Sequence, residues 1–439
     1  MDAPEPEKRP GRLSRDADFM KFWSAESLSM MGTQISIVAI PLLAAETLDA
    51  TAFQMGALNA AQFAPYLLLT LFVGVWVDRT RRLPLLIGTN LGRAVLIGLI
   101  PVIALLGGLN VWLLMVLVVL SASLTVVFDL AYQSYLPSIV ERDQLVDANG
   151  RLEGSRSFAQ LTGPGAAGLL VGTLTAPVAI AVNAATFLVS GVTQLFIRRV
   201  EPAPAGHDGP RPSVFAQIGH GLGLLLRNVY LRALGIEAAV YNLFNQMLWA
   251  VLILHLTRGL DLSPTVIGIV LTMSGVGALL GSTLSARLGR RWGLGPTLIV
   301  SIMIANVAPL AIPAAGGHWL LAAVVIGAAL LVNAAGLVIY NIQAISLRQA
   351  SVTSDVLGRT NAGYRFAVTG TAAIGAVIGG ALGDLIGLRA TMVVAALGTI
   401  FAVVFVIRSP IPKLRDLSEV VPEEPSPPVT PVPAAPKAG

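Results

Sequence analysis

Three carboxylates stand where carboxylates are rare. Glu26, Asp129 and Glu237 each fall inside a long apolar run, in a 439-residue chain in which 55% of residues are hydrophobic and 12% charged. An ionisable side chain at membrane depth is expensive and is by default a candidate functional group. A carboxylate withdrawn from water can exchange a proton or face a cation. Alternatively, Asp129 and Glu237 pair with Arg151, Arg156, Arg232 or Arg365, which lie near the same level, and serve structure alone. Asn149, Arg151, Glu153 and Arg156 open one run and read first as helix-cap and ion-pair residues, with a gating network as the alternative.

The elements that hold these acids are apolar stretches of about 20–27 residues, near 19–46, 52–77, 84–107, 110–135, 148–172, 176–197, 229–257, 264–286, 294–314, 318–346, 360–383 and 387–407. A hydrocarbon core about 30 Å thick takes about 20 residues of helix. Each stretch must be helical, because lipid offers a bare backbone amide no partner. The expected class is an all-α membrane protein with twelve transmembrane helices in two six-helix bundles. Its parts are an N-terminal tail (1–18), a first bundle (19–197), a linker (198–228), a second bundle (229–408) and a Pro-rich, disordered tail (409–439). Within the linker, Val214–Arg227 has helical apolar spacing and reads as an amphipathic helix on the membrane surface.

Charge sets the orientation. Arg79, Arg81, Arg82, Arg142, Arg198, Arg199, Arg211, Arg287, Arg290, Arg291, Arg348 and Arg359 sit in alternate connections, with only Arg258 and Arg389 opposite. The positive-inside rule places both termini in the cytoplasm of a cell-membrane protein. The net charge of +5 is thus a topology signal and argues for no nucleic-acid partner. The halves repeat at a spacing of roughly 210 residues: Asp78–Arg82 against Ala286–Arg290, and Gly163–Gly168 against Gly375–Gly380. A duplicated six-helix unit is a known basis for alternating access.

Gly74-Val75-Trp76-Val77-Asp78-Arg79-Thr80-Arg81-Arg82 resembles the signature loop of the major facilitator superfamily, G-x-x-x-D-R-x-x-[RK]. The resemblance implies a conformational latch of Gly74, Asp78, Arg79 and Arg82, with Arg287 in a weaker second copy where Ala286 replaces the acid. Ala159–Gly168 resembles the G-x-x-x-G-P-x-x-G-G element of the antiport branch, with Gly163, Pro164 and Gly168 in register. Phe128–Pro137, Asp147–Asn149, Leu357–Ala362 and Gly379-Gly380 are similar to the transmembrane secretion effector branch, which includes macrolide efflux proteins and an enterobactin exporter. Many relatives carry an aspartate in span six where this chain has Asn183.

The resemblance implies a cavity lined by spans one, four, seven and ten. Its candidate residues are Thr33, Tyr132, Gln133, Tyr241, Asn245, Trp249, Asn333 and Asn341, with Asp129, Glu237 and Glu26 as proton-coupling candidates. An acidic, aromatic vestibule suits a cationic or amphiphilic molecule. The expectation is a monomeric, proton-coupled exporter of a drug, antibiotic or siderophore, with import of a nutrient as the rival. No metal site or cofactor is expected: cysteine is absent, and His207, His220, His255 and His318 share no spacing. An enzyme is disfavoured, since there is no G-x-S-x-G, H-E-x-x-H or phosphate-loop lysine.

Overall fold

A computed structural model describes residues 13–141, 144–199, 201, 219, 223, 225–352 and 354–420. Twelve long helices appear among them. They are α1 (Ala17–Leu42), α2 (Ala52–Asp78), α3 (Arg82–Leu105), α4 (Val111–Ile139), α5 (Leu145–Thr173), α6 (Ala176–Leu195), α7 (Val229–Leu254), α8 (Pro264–Trp292), α9 (Leu294–Val307), α10 (Trp319–Ala350), α11 (Ser354–Ile386) and α12 (Leu388–Ile407). Ten are long and apolar enough to cross a membrane, counting the turns that extend α1, α7 and α9. Helices α2 and α5 stand outside that set. Helix α5 carries Asp147, Arg151, Glu153 and Arg156 in its first half, which lowers its hydropathy.

Local chemistry sets the helix starts. The Asp16 carboxylate accepts from the amides of Asp18 and Phe19; Thr51 and Gln54 form a reciprocal capping box; Asn110, Thr175 and Asn228 cap α4, α6 and α7. Helix ends depart from the expected spans where polar residues continue the helix. Helix α4 runs to Ile139 and α11 begins at Ser354. Helix α9 stops at Val307, and a 3-10 turn and one helical turn carry the chain to Ala314; Pro309 and Pro313 lack the amide an uninterrupted helix needs. Helices α1 and α7 both finish in a five-residue π-helical turn, Leu43–Thr47 and His255–Gly259.

In the first half α1 packs on α5 and α6, α2 on α4, and α3 on α4 and α6. In the second, α7 packs on α11 and α12, α8 on α10, and α9 on α10 and α12. Two main contacts join the halves, α2 on α11 and α5 on α8. Both rest on bare backbone: a Cβ on Gly56 would lie 2.8 Å from Gly380 Cα, and one on Gly168 would lie 2.6 Å from Gly268 Cα. Small residues let membrane helices approach this closely. Outer faces present large apolar side chains such as Leu68, Phe72, Val95 and Trp112.

The tail expected to run free from 409 is packed as far as Val420. Leu294 and Gly295 donate to the carbonyls of Arg415 and Leu414, and Ile411 is fully buried. Apolar Ile411, Leu414 and Val420 pack into the base of the second half, so the Pro-rich composition begins to dominate only further on. The remainder, 421–439, lies outside the described residues, as does most of the Val214–Arg227 segment.

A glycine contact inside one half tests the packing. A Cβ on Gly277 would lie 2.1 Å from the Leu331 carbonyl, whereas one on Gly88 meets nothing within 4 Å. We expect Gly277→Val to force α8 from α10 at a cost of about 1–3 kcal/mol. Its unfolding temperature in detergent should fall by several degrees, while Gly88→Val stays near the parent.

Candidate functional site

A cavity of about 510 Å³ lies between the halves. Helix α1 contributes Thr33 and Ser36, α2 contributes Asn59, Gln62 and Tyr66, α4 Ser121 and Thr125, α6 Asn183, and α7 Gln246 and Trp249. Apolar residues Ile37, Met55, Phe63, Val118, Phe187 and Ile253 complete the wall. A large apolar surface with scattered amides and hydroxyls fits an amphiphile better than a densely polar solute. Asn183 is buried, and its amide donates to the Ser36 hydroxyl at 2.5 Å, tying α6 to α1 at the cavity wall.

Beneath this cavity the first half buries a charged cluster. Tyr66 lines the cavity, and its hydroxyl donates to Asp129 Oδ2 at 2.6 Å. Glu26 is 5% exposed, and its Oε2 finds no hydrogen-bond partner among the described residues. Within electrostatic reach of both acids is Arg93, on α3. Its guanidinium lies between two rings, 4.2 Å from the Phe128 centroid and 4.3 Å from that of Phe187. One amino group donates to Asn90 Oδ1 at 2.6 Å, and Asn90 in turn donates to Gln194. The planar faces of a guanidinium make this sandwich possible, and a lysine would lose it. Sequence reasoning missed Arg93, although a lone arginine in the apolar run 84–107 was the available signal.

In the second half, Glu237 is 1% exposed and accepts a hydrogen bond from Tyr340 of α10. Asp129 and Glu237, for which arginine pairing was the alternative to proton exchange, therefore both accept from tyrosines. Arg151 and Arg156 pair with Asp147 and Glu153 on their own helix, and Arg232 and Arg365 are exposed.

The other expected cavity residues scatter. Thr33 and Trp249 line the cavity. Tyr132 stacks between Phe22 and Phe128 inside the first half. Tyr241 is buried and reaches Asn245 at 3.5 Å, and Asn333 donates to the Ala305 carbonyl. Gln133 and Asn341 are exposed. Of the loop residues, Gly74 meets no neighbour, Asp78 ends α2 and Arg79 caps it. Arg82 pairs with Glu201 at 3.0 Å, and Glu201 also accepts from the Arg82 and Leu83 amides, so this arginine is engaged within its own half. Arg287 is exposed. The glycines of α5 divide the labour: Gly163 faces Gln34 of α1, while Gly168 and the Pro164 carbonyl face Gly268 of α8.

Polar contacts tie the halves together at the end that bears the short connections. Asp384, near the end of α11, accepts from the Ala52 and Phe53 amides at 2.9 and 3.1 Å, which caps the N-terminus of α2. Arg258, in the π-helical turn after α7, donates to the Ala45 and Ala50 carbonyls at 2.8 and 2.9 Å. Arg258 also lies 3.6 Å from the exposed Asp49 carboxylate; it stood out in the sequence only as a rare arginine on that side, and Asp384 not at all, because its partners are backbone amides on the other half.

Comparison with known proteins accords with this architecture. A family model described as transmembrane secretion effector matches residues 13–434. Multidrug efflux pump Tap of Mycobacterium tuberculosis is 27% identical over 407 residues, 90% of this chain and 93% of that protein. Macrolide efflux protein A of Streptococcus pyogenes is 24% identical over 224 residues, and the chain spans only 55% of that relative's length. Among solved structures, nucleoside transporter NupG (a D323A mutant) superposes with a TM-score of 0.74 at 12% identity, covering 89% of this chain and 99% of that one. A bacterial homologue of the iron transporter ferroportin, in an inward-facing state, gives 0.70 at 19% identity over 91% and 99%. The chain belongs to the transmembrane secretion effector family of the major facilitator superfamily, and ten of its described helices are long and apolar enough to cross a membrane.

Proposed function

We propose that this transporter is a proton-coupled exporter of a small amphiphilic molecule, such as a drug, antibiotic or siderophore, working by alternating access as a monomer in the cell membrane. The observation that carries the reading is Tyr66. It lines the cavity between the halves and hydrogen-bonds Asp129 behind it, so a molecule entering the cavity meets the group that holds the acid. Export, as opposed to uptake, is supported by the names of the efflux relatives and by the α5 motif around Gly163, Pro164 and Gly168.

Twelve spans in two pseudo-symmetric bundles underlie the reading. Each packing pair in the first half has a counterpart six helices on, α1 on α5 matching α7 on α11, for example. The acids follow the same rule. Glu237 and Tyr340 lie 103 positions apart on α7 and α10, the separation of Glu26 and Asp129 on α1 and α4. With both termini cytoplasmic, the end closed by Asp384 and Arg258 faces outward and the described state opens inward. Asp78 belongs to the opposite end of the same helix pair, beside the start of α11, and would engage when the cytoplasmic side closes. The two ends of α2 and α11 then alternate as latches.

Three measurements test these points. Reporter fusions at Ala50 and Pro204 should report opposite faces of the membrane, and one shared face would overturn the topology. In inside-out vesicles with an imposed proton gradient, a labelled macrolide or a lipophilic dye cation should accumulate in the parent. Asp129→Asn or Glu237→Gln should retain downhill exchange but lose gradient-driven accumulation. Accumulation retained by both variants would refute coupling through these acids.

Asp384→Asn weakens a carboxylate–helix contact worth about 0.3–2 kcal/mol, a shift of roughly two- to thirtyfold between states. Spin labels across the outer end should then report a larger open fraction without unfolding. The chain has no cysteine, so labelling sites can be introduced one pair at a time. An unchanged distance distribution would remove Asp384 from the latch.

A further inference from the structure

Two arginines on the membrane-facing side of the second half stand without a partner among the described residues. Arg232 on α7 and Arg408 at the end of α12 line one groove of about 360 Å³. Both are exposed, and neither side chain takes part in a hydrogen bond or ion pair with described residues. Arg408 complements the C-terminal end of its own helix, but Arg232 sits in the first turn of α7, where a cation opposes the helix dipole. An anion seated between them would answer both charges.

The groove has a direction. Along α7 it is lined by Val229, Arg232, Ala233 and Ile236, and along α12 by Phe401, Val404, Phe405 and Arg408. On both helices the lining residues recur at three to four positions, so each presents one stripe, and the helices run antiparallel. Both arginines lie at the end that bears the chain termini. Phe401 lies seven residues from Arg408, about 10 Å deeper at 1.5 Å per residue. Basic groups at the mouth and an aromatic, aliphatic floor toward the bilayer centre match a phosphate headgroup with an acyl chain below it. A free phosphate would have no use for the floor, where Phe401 and Phe405 meet edge to face at 5.6 Å.

The first half supplies an internal comparison. At the same end, between α1 and α6, Lys21 is satisfied within the protein by Asp18 at 2.9 Å and by the Phe196 carbonyl at 2.7 Å. The corresponding place on the second half holds two cations and no acid, so its counter-charge must come from elsewhere.

We infer that the groove between α7 and α12 is a binding site for one anionic phospholipid, its phosphate held by Arg232 and Arg408 and one acyl chain along Ile236, Phe401 and Phe405. The inference requires a membrane-embedded chain but is independent of what is transported and in which direction.

Purified full-length protein in detergent provides the test, by thermal unfolding against added phosphatidylglycerol, phosphatidylcholine of the same acyl chains, or inorganic phosphate. Phosphatidylglycerol should raise the unfolding temperature saturably above the phosphatidylcholine value, and inorganic phosphate should not reproduce the rise. R232Q/R408Q should match the parent in phosphatidylcholine yet lose the extra rise, while R232K/R408K should keep part of it. A parent that does not distinguish the two lipids, or a glutamine variant that still does, overturns the assignment. An equal rise with inorganic phosphate would make the groove a plain anion site and also overturn it. A lipid response that appears only in E423Q/E424Q would make the acidic tail the occupant and overturn it as well.

Discussion

Everything in this protein answers to one constraint: at membrane depth a polar group has no water to fall back on, so its partner must be built into the chain. The constraint explains why the unusual groups occur in sets. Arg93 comes with two rings, Asn90 and Gln194; Asp129 comes with Tyr66; Glu237 comes with Tyr340; Asn183 comes with Ser36. Some buried groups remain open among the described residues: Glu26 Oε2 and Arg93 Nε in the charged cluster, and His255 Nε2 and Asn306 Oδ1 in the second half. The outer surface, by contrast, is made of single apolar side chains that ask nothing of one another.

The two halves handle the same depth differently. The first half holds two carboxylates and one guanidinium, a mixed cluster in which each charge is felt by the others. The second holds one carboxylate, Glu237, with the phenols of Tyr340 and Tyr364 and the Arg348 guanidinium over the Tyr364 ring, and Tyr340 occupies the place that Asp129 has in the first. The two halves have thus diverged into one with two buried acids and one with a single buried acid, with the amphiphile-sized cavity between them. The polar groups on its first-half side outnumber Gln246 and Trp249 on the other. Whatever binds there is oriented chiefly by the first half.

The architecture was legible because it rests on composition and period. Apolar length locates the helices because it follows from the thickness of a bilayer, although ends of α8, α9 and α11 differ by six or seven residues from the expected spans. The acids were legible for the same reason, as isolated exceptions in apolar runs. Their partners were not. Tyr66 and Tyr340 are ordinary residues in sequence, and only the packing of α2 on α4 and of α7 near α10 gives them their role. Span-by-span reasoning assigned Gln133 and Asn341 to the cavity because they lie on the expected helices; both are exposed, and neither is among the residues that line the cavity between the halves. Asp384 was hidden further still, because a residue that bonds only backbone amides leaves no complementary side chain to look for.

The crossings at Gly56 with Gly380 and Gly168 with Gly268 bring backbone against backbone. Most helix interfaces mesh like gears, with each side chain lodged between others, and turning one helix means lifting every tooth from its socket. These two crossings have no teeth. Roll about these points moves few side chains, Thr265, Thr272 and Leu161 among them, so much of the resistance to motion falls to the polar clasps at the rim. The pair of smooth contacts also defines a line across the molecule, and a rigid half can turn about a line while its far end sweeps through the largest arc.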